Sequence, residues 1–211
     1  MAATKRKNMN PRIERKITRI SGVREVKQTF LIICEGVNTE PDYFNAFRLT
    51  SATVKAIGQG MGTLALVQKA INIKERERQR GRTYNQNWVV FDKDDFPENN
   101  FNSAILSARQ NGFEVAYSNQ AFEFWFLLHF NLYQGALHRS RYEKMLSTLL
   151  GFAYTKKSGV SSKMFNALFL KQEQAINHAK TIMKQFDGNN PAQQESSTTV
   201  YRLVEELNNF L

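Results

Sequence analysis

The chain has 211 residues, of which 42% are hydrophobic, and this suits one domain with a sizeable core. No run of about eighteen uninterrupted apolar residues occurs, so we expect neither a membrane-spanning helix nor a membrane partner. The single cysteine, Cys34, excludes an internal disulfide, and one cysteine with three histidines argues against a structural zinc site. These features favour a reducing, cytoplasmic setting.

The net charge of +10 is concentrated near the N-terminus. Residues 1–30 hold nine Lys or Arg and two Glu, a net of +7, whereas the rest of the chain holds twenty against seventeen, a net of +3. We interpret residues 1–25 as a flexible basic arm that would attract nucleic acid, and a solvated tail without a ligand is the alternative. The side chains predicted to contact nucleic acid are Lys5, Arg6, Lys7, Arg12, Arg15, Lys16 and Arg19, with Lys93 further along the chain.

In chain order, four short apolar stretches alternate with helical patterns. Strands are predicted over Gln28–Cys34, Ala52–Ile57, Asn87–Phe91 and Phe113–Tyr117. Helices are predicted after each strand: one with Thr39 as its N-cap, one from Leu64 into the charged stretch Lys74–Arg82, one over about Asn99–Asn111, and one from Ser118 to Phe130. This order predicts an α/β fold with a mostly parallel sheet flanked by helices.

After Tyr133 the sequence pattern becomes helical. Helices are predicted over residues 139–150, 163–186 and 197–210, with polar linkers between them. We therefore predict an α/β core over residues 26–135 and a helical C-terminal part, residues 136–211, packed on that core.

Two of the predicted strands end in carboxylates. Glu35 follows the first strand, and Asp92 and Asp94 follow the third. Because sites in open α/β sheets form at the carboxyl ends of strands, we expect these three side chains to converge. If Asp92 and Asp94 are both extended, their side chains point the same way and Asp95 points elsewhere. Such oxygen ligands suit Mg²⁺, whereas a polar turn that caps the next helix is the alternative interpretation.

Four further polar residues are candidates to support this site. Thr39 and Glu40 are close to Glu35 in sequence and could reach it, although helix capping also explains them. Glu123 interrupts an apolar helix, where a carboxylate needs a partner or an ion, so it is a candidate ligand or supporting group. His129 lies in the same helix and is more typical of a hydrogen-bonded core histidine than of a catalyst.

A glycine-rich stretch, Gly58-x-Gly60-x-Gly62-Thr63, lies between a predicted strand and a predicted helix. Backbone N–H groups at such a junction can bind phosphate. The stretch lacks the Gly-Lys-Ser/Thr ending of a P-loop, and a flexible turn is the favoured interpretation.

Four segments carry a resemblance to a known family. They are Phe30–Phe44, which contains Glu35-Gly36 and Thr39-Glu40; Val90–Phe96, which contains Asp92-Lys-Asp94-Asp95; Ser118–Phe130, which contains Glu123 and His129; and Ser197–Leu207. The pairing of a strand ending in Glu35-Gly36 with a strand ending in Asp92-x-Asp94 resembles the Toprim domain of topoisomerases, primases and certain nucleases. Over about residues 25–211, the chain more closely resembles the RloB family of Toprim-like proteins.

The resemblance implies a Toprim-like core in which Glu35, Asp92 and Asp94 are catalytic and bind Mg²⁺ or Mn²⁺, with Glu35 as general acid/base. Gly36 and Asp95 are supporting candidates because they belong to the matching segments. Many Toprim domains carry a glycine after the aspartates, whereas Asp95-Phe96-Pro97 follows here.

The function implied by the resemblance is that of a Mg²⁺-dependent nuclease in a bacterial anti-phage or restriction-associated system, working beside an RloA-like ATPase. The alternative is a non-catalytic module that binds nucleic acid or nucleotide and serves as a sensor for such an ATPase. The basic N-terminal arm and the absence of an obvious nucleophile in the sequence motivate this alternative.

Overall fold

A computed structural model describes residues 27–157 and 160–211, without the side chains of residues 160–162. The predicted basic arm, residues 1–25, lies outside the described residues. The same holds for its predicted nucleic-acid contacts at Lys5, Arg6, Lys7, Arg12, Arg15, Lys16 and Arg19.

Five strands form one sheet in the order β2-β1-β3-β4-β5. The strands are β1 (Gln28–Cys34), β2 (Ala52–Gly58), β3 (Gln86–Asp92), β4 (Glu114–Asn119) and β5 (Ser197–Thr198). The first four strands are parallel, and β5 pairs with β4 in the antiparallel direction. Buried residues of β1 alternate between the two faces of the sheet, with Ile32 on one face and Ile33 on the other. Each face is therefore covered by helices.

The helices divide between the two faces of the sheet. They are α1 (Thr39–Asn45), α2 (Thr63–Gln79), α3 (Glu98–Gln110), α4 (Glu123–Leu127), α5 (Tyr142–Leu150), α6 (Val160–Leu168), α7 (Gln172–Met183) and α8 (Val200–Asn208). Helices α2 and α3 pack on one face, and the other six contribute to the core on the opposite face. This confirms the predicted α/β class, a mostly parallel sheet flanked by helices with further helices at the C-terminal end. The predicted division near residue 135 stays a prediction.

An aromatic cluster fixes α1 and α4 against each other. The Tyr43 ring makes edge contacts with Phe122, Phe126 and Phe165, at centroid distances of 5.4–5.9 Å. The indole N–H of Trp125 donates a hydrogen bond to the Tyr43 hydroxyl at 3.1 Å. Aromatic pairs of this geometry add roughly 0.5–1.5 kcal/mol each beyond the burial of their area. The cluster holds the residues that follow β1 and β4 close together.

Several boundary predictions are wrong. The single helix predicted over residues 163–186 is divided into α6 and α7. Ser197 and Thr198, predicted to begin a helix, form β5, because they pair with the end of β4. For the same reason Ser118, predicted to open the fourth helix, lies within β4, which ends at Asn119, and α4 spans only Glu123–Leu127. Thr39 is the first residue of α1 rather than its N-cap, a position that Asn38 takes without a side-chain hydrogen bond.

Among the described residues, no helix is both long enough and apolar enough to cross a bilayer.

Candidate active site

Five carboxylates line one cavity at the carboxyl ends of β1 and β3. These strands are neighbours, so Glu35, just after β1, and Asp92, at the end of β3, come to the same edge of the sheet. The cavity has a volume of about 310 Å³. Its carboxylates belong to Glu35, Glu40, Asp92, Asp94 and Glu123, and Gly36, Thr39 and Lys156 also line it. The predicted convergence of Glu35, Asp92 and Asp94 on one cavity is therefore observed.

Glu35 and Asp92 are joined by a hydrogen bond. The backbone N–H of Asp92 donates to Glu35 Oε2 at 3.0 Å, and the backbone N–H of Phe122 donates to Asp92 Oδ2 at 3.0 Å. The second oxygen, Asp92 Oδ1, is buried and has no hydrogen-bond partner among the described residues. Leaving a buried carboxylate oxygen without a partner is unfavourable, so this atom points to a ligand.

Glu40 lines the cavity and is hydrogen-bonded to the backbone of Gly36. Its side chain is buried, and Glu40 Oε1 accepts a hydrogen bond from the Gly36 N–H at 3.3 Å. A Cβ atom on residue 36 would overlap the Glu40 carboxylate, so only glycine allows this approach. Gly36 thus has a structural reason to follow Glu35.

The glycine-rich stretch contacts the backbone that carries Glu35. The N–H of Gly60 donates to the carbonyl of Glu35 at 2.7 Å, and that of Gln59 donates to the carbonyl of Cys34 at 3.0 Å. A Cβ atom on Gly58 would overlap the carbonyl oxygen of Gly36. These glycines allow two backbone segments to pack closely, which supports the position of Glu35.

Asp94 lies in a turn rather than in a continued strand. Strand β3 ends at Asp92, and Asp94 has a φ of 43°, so the condition under which both aspartate side chains would point the same way along an extended strand is not met. The turn still directs Asp94 to the cavity, whereas Asp95 does not line it. The guanidinium of Arg139 forms ion pairs with both Asp94 and Asp95. Nothing in the local sequence pattern of Arg139 places it near β3, so its role is not predictable from the sequence.

Glu123 has the partner that a buried carboxylate needs. Its Oε1 atom accepts a hydrogen bond from the Tyr154 hydroxyl at 2.9 Å and lies 3.1 Å from the Lys156 ammonium. The side chain of Glu123 is only 2% exposed, whereas that of Lys156 is 55% exposed. Both partners come from the segment between α5 and α6, which the sequence pattern identifies only as a polar linker.

Besides Asp95, two predicted residues lie outside the cavity lining. His129 is fully buried, and its Nδ1 lies 3.0 Å from the carbonyl oxygen of Trp125. Burial, partly offset by backbone hydrogen bonds, lowers the pKa of His129 to about 3, so its imidazole is neutral near pH 7. Lys93 does not line the cavity, and its ammonium donates to the carbonyl of Phe96.

The carboxylates of the cavity raise one another's pKa. Burial, with smaller effects from the charges of Asp94 and Glu40, raises the pKa of Glu35 to about 7, against the hydrogen bond from Asp92. Burial and the charge of Glu123 likewise raise the pKa of Glu40 to about 7. Burial, followed by the charges of Glu40 and Glu123, raises the pKa of Asp92 well above its usual range. Without a cation, the cluster therefore retains protons near neutral pH.

The donor set of the cavity fits a hard divalent cation. All five acidic groups offer oxygen, their shared charge is incompletely compensated, and Asp92 Oδ1 has no partner among the described residues. Within that part of the chain, no group of three or more Asp, Glu, His or Cys side chains is already arranged to bind a metal ion. The ion would compete with Arg139 for Asp94. Glu35 and Asp92 are the other two side chains expected to bind the ion.

Comparisons with known proteins identify a family. A family model described as RloB-like protein matches residues 30–207, from β1 to α8, and so includes every carboxylate of the cavity. No curated protein and no solved structure matches the chain.

Proposed function

We propose that this chain, which belongs to the RloB-like protein family, is a nuclease that hydrolyses nucleic-acid phosphodiesters with Mg²⁺ or Mn²⁺. The observation that carries the proposal is the state of Asp92. Its Oδ1 atom is buried without a hydrogen-bond partner among the described residues, in a cavity with four other carboxylates. A divalent cation would satisfy that atom and relieve the repulsion among the acidic groups.

In this proposal Glu35, Asp92 and Asp94 hold the ion, and Glu35 also exchanges a proton with the reacting water or hydroxyl. A bound divalent ion supplies charge neutralisation at the phosphate and lowers the pKa of a bound water. In the metal-free protein, burial raises the pKa of Glu35 to about 7. A bound cation would lower that pKa, so in the loaded site Glu35 would be deprotonated and suited to accept a proton as a general base. The strand-end glutamate and the two aspartates resemble the arrangement of Toprim domains, which supports the same roles.

Lys156 and Glu123 would act at the rim of the cavity. The Lys156 ammonium is half-exposed and paired with the buried Glu123 carboxylate, so it is held where a substrate phosphate would approach. A fixed cation beside the acidic group favours binding of an anionic substrate. Glu123 in this arrangement is a positioning residue, because its hydrogen bonds go to Tyr154 and Lys156.

The biological setting is part of the proposal. The family resemblance supports a role in a bacterial anti-phage or restriction-associated system together with an RloA-like ATPase. A single buried cysteine supports a cytoplasmic location.

The test is metal-dependent cleavage of defined substrates. The full chain is incubated with single- and double-stranded DNA and RNA in Mg²⁺, Mn²⁺ or EDTA, beside Glu35→Gln and Asp92→Asn. We expect cleavage only with metal, and losses of roughly 10²- to 10⁴-fold in both variants. Glu173→Gln, an exposed carboxylate on α7, is the matched control and should cleave like the wild type. Absence of metal-dependent cleavage, or equal cleavage by all variants, would contradict the proposal.

One observation favours the alternative of a non-catalytic sensor that binds nucleic acid or nucleotide for an ATPase partner. Arg139 already forms ion pairs with Asp94 and Asp95. One of the proposed metal ligands, Asp94, is therefore occupied by a cationic side chain. A sensor would bind its ligand with metal present and release it unchanged. Recovery of intact ligand after prolonged incubation, together with saturable binding, would identify this function.

A further inference from the structure

A basic surface borders the acidic cavity. Residues 138–157 hold five Lys or Arg and one Glu, a net of +4. The rest of residues 31–211 holds fifteen Lys or Arg and sixteen Asp or Glu, a net of −1. The positive excess of this part of the chain therefore comes from one short segment. It contains the 3₁₀ turn Arg139–Arg141, helix α5 and the residues that lead towards α6.

Two further cavities connect this segment with the carboxylates. The first has a volume of about 480 Å³ and shares Glu123 and Lys156 with the candidate active site, while His138, Arg139 and Ser140 also line it. The second has a volume of about 510 Å³ and shares Ser140 with the first. Shared lining residues thus link the three cavities, from the acidic cluster to α5.

The second of these cavities is lined by both cationic and apolar side chains. Arg141 and Lys144 line it and are exposed, and no carboxylate lies within 4 Å of either cation in the part of the chain that the structure describes. Tyr133, Met145 and Leu149 line the same cavity and are partly buried. Cations beside an aromatic ring and aliphatic side chains are the features with which proteins hold a phosphate and an adjoining base.

We infer that the surface from Lys156 to Tyr133, here called the α5 surface, binds a single strand of nucleic acid that leads to the acidic cavity. Arg141 and Lys144 contact consecutive phosphates, and a base lies against Tyr133. A single strand is required because only an unpaired base can present its face to a side chain. The inference rests on the proposed function only for what happens at the acidic cavity, since binding along the α5 surface needs no cleavage.

The first experiment reverses the charges of Arg141 and Lys144. Binding of a fluorescent 20-nucleotide single strand to the full chain is measured by anisotropy in EDTA, for the wild type and for the double variant Arg141→Glu/Lys144→Glu. We expect Kd to rise roughly tenfold or more, and the slope of log Kd against log salt to fall by about 1.4, because two phosphate contacts are lost.

The matched control is the double variant Lys69→Glu/Arg76→Glu. It changes the net charge by the same amount, and both side chains are exposed on α2, which packs on the opposite face of the sheet from α5. We expect its Kd to stay within about threefold of the wild type, the effect of net charge alone. Equal weakening in the two double variants would overturn the inference, because binding would then follow total charge rather than the α5 surface.

The second experiment tests the base contact and strand preference. Tyr133→Ala should weaken single-strand binding roughly tenfold, whereas Tyr133→Phe, which keeps the ring, should bind like the wild type. A blunt hairpin duplex should bind less tightly than the single strand, and an unchanged Kd in Tyr133→Ala or tighter duplex binding would overturn the inference. Absence of oligonucleotide binding would do the same and would favour an acidic protein partner.

The two proposals fail in different ways. A protein that binds through the α5 surface and cleaves nothing with metal contradicts the nuclease proposal alone. A protein that cleaves, yet binds equally well after reversal of Arg141 and Lys144, contradicts the α5-surface inference alone. Circular dichroism and thermal unfolding of each variant establish that it is folded before its Kd is compared.

Discussion

Arg139 forms an ion pair with Asp94, one of the two aspartates expected to hold a metal ion. The same guanidinium pairs with Asp95, so it bridges two consecutive carboxylates of the turn after β3. About a third of the arginine side chain is exposed, which leaves room for it to move away. A cation that binds Asp94 would therefore share this carboxylate with Arg139, and the two positive charges would compete for it.

This competition predicts a tighter metal site when Arg139 is removed. In Arg139→Gln, the Mg²⁺ concentration at half-maximal thermal stabilisation should fall by a few-fold, since partly exposed ion pairs contribute at most about 1 kcal/mol. The measurement is the melting temperature at pH 8 across a Mg²⁺ titration. Arg141→Gln removes a charge from the same 3₁₀ turn without breaking an ion pair of the described residues, and it should leave the midpoint nearly unchanged. Equal midpoints in Arg139→Gln and the wild type would contradict competition between Arg139 and the metal at Asp94.

The cluster of carboxylates predicts an unusual pH dependence of stability. The pKa values of Glu35 and Glu40 rise from 4.5 to about 7 on folding, so between these pH values the folded state holds protons that the unfolded state has released. Stability of the metal-free protein must therefore fall as pH rises through this window. We expect the melting temperature in EDTA to be higher at pH 5.5 than at pH 8, by roughly 3–8 °C.

Two comparisons test that the cluster causes this effect. Mg²⁺ should raise the melting temperature more at pH 8 than at pH 5.5, because protons and metal compete for the same oxygens. Glu40→Gln removes one of the repelling charges and should raise the metal-free melting temperature at pH 8. A melting temperature in EDTA that is unchanged or higher at pH 8, in both proteins, would contradict the arrangement of charges.

Two glycines near Glu35 should respond differently to the same substitution. Gly58→Ala brings a methyl group against the backbone of Gly36 and should cost about 2–3 kcal/mol of unfolding free energy, because backbone cannot easily move. Gly36→Ala meets the Glu40 carboxylate, the end of a side chain, and should cost less.

A double-mutant cycle separates these causes. The cost of Gly36→Ala, measured by urea denaturation, should shrink by at least half in a Glu40→Ala background, since the overlapping group is gone. The cost of Gly58→Ala should stay the same in that background. Independent behaviour of Gly36→Ala and Glu40→Ala would mean that the two residues are not in contact.

The extent to which the fold follows from sequence depends on whether the signal is local. Strands β1 and β3 contain continuous apolar runs, and their carboxyl ends bring Glu35 and Asp92 together because the two strands are adjacent. Strand β5 has two polar residues and no pattern of its own. It exists because Ser197 and Thr198 pair with β4, and the Thr198 and Ser118 hydroxyls lie 3.1 Å apart. Such pairing depends on tertiary structure.

The same distinction applies to the candidate site. Glu35, Asp92 and Asp94 lie at or just after strand ends, and that position allows them to be predicted. Arg139, Tyr154 and Lys156 come from segments tens of residues away in sequence. No local pattern marks these three, because their positions depend on how α5 and the following segment pack against the sheet. The conformation of Asp94 was also hidden, since a left-handed φ at an aspartate depends on the turn rather than on strand alternation.

His129 should prove to be a structural residue that makes the protein sensitive to acid. Its pKa is about 3 in the folded protein against 6.5 in the unfolded chain, so below pH 6.5 the unfolded state binds a proton that the folded state excludes. Stability from this residue is lost as pH falls, by up to about 1.4 kcal/mol per pH unit, opposite in sign to the carboxylates. His129→Phe keeps an aromatic ring against Trp125, removes the titrating group, and should flatten this acid limb. Urea unfolding of both proteins from pH 4 to 7 measures the slope of unfolding free energy against pH.

Metal-dependent cleavage tests whether His129 has only this structural role. His129→Phe at pH 8 should cleave like the wild type, and a loss of cleavage by a stably folded variant would mean that His129 takes part in the chemistry.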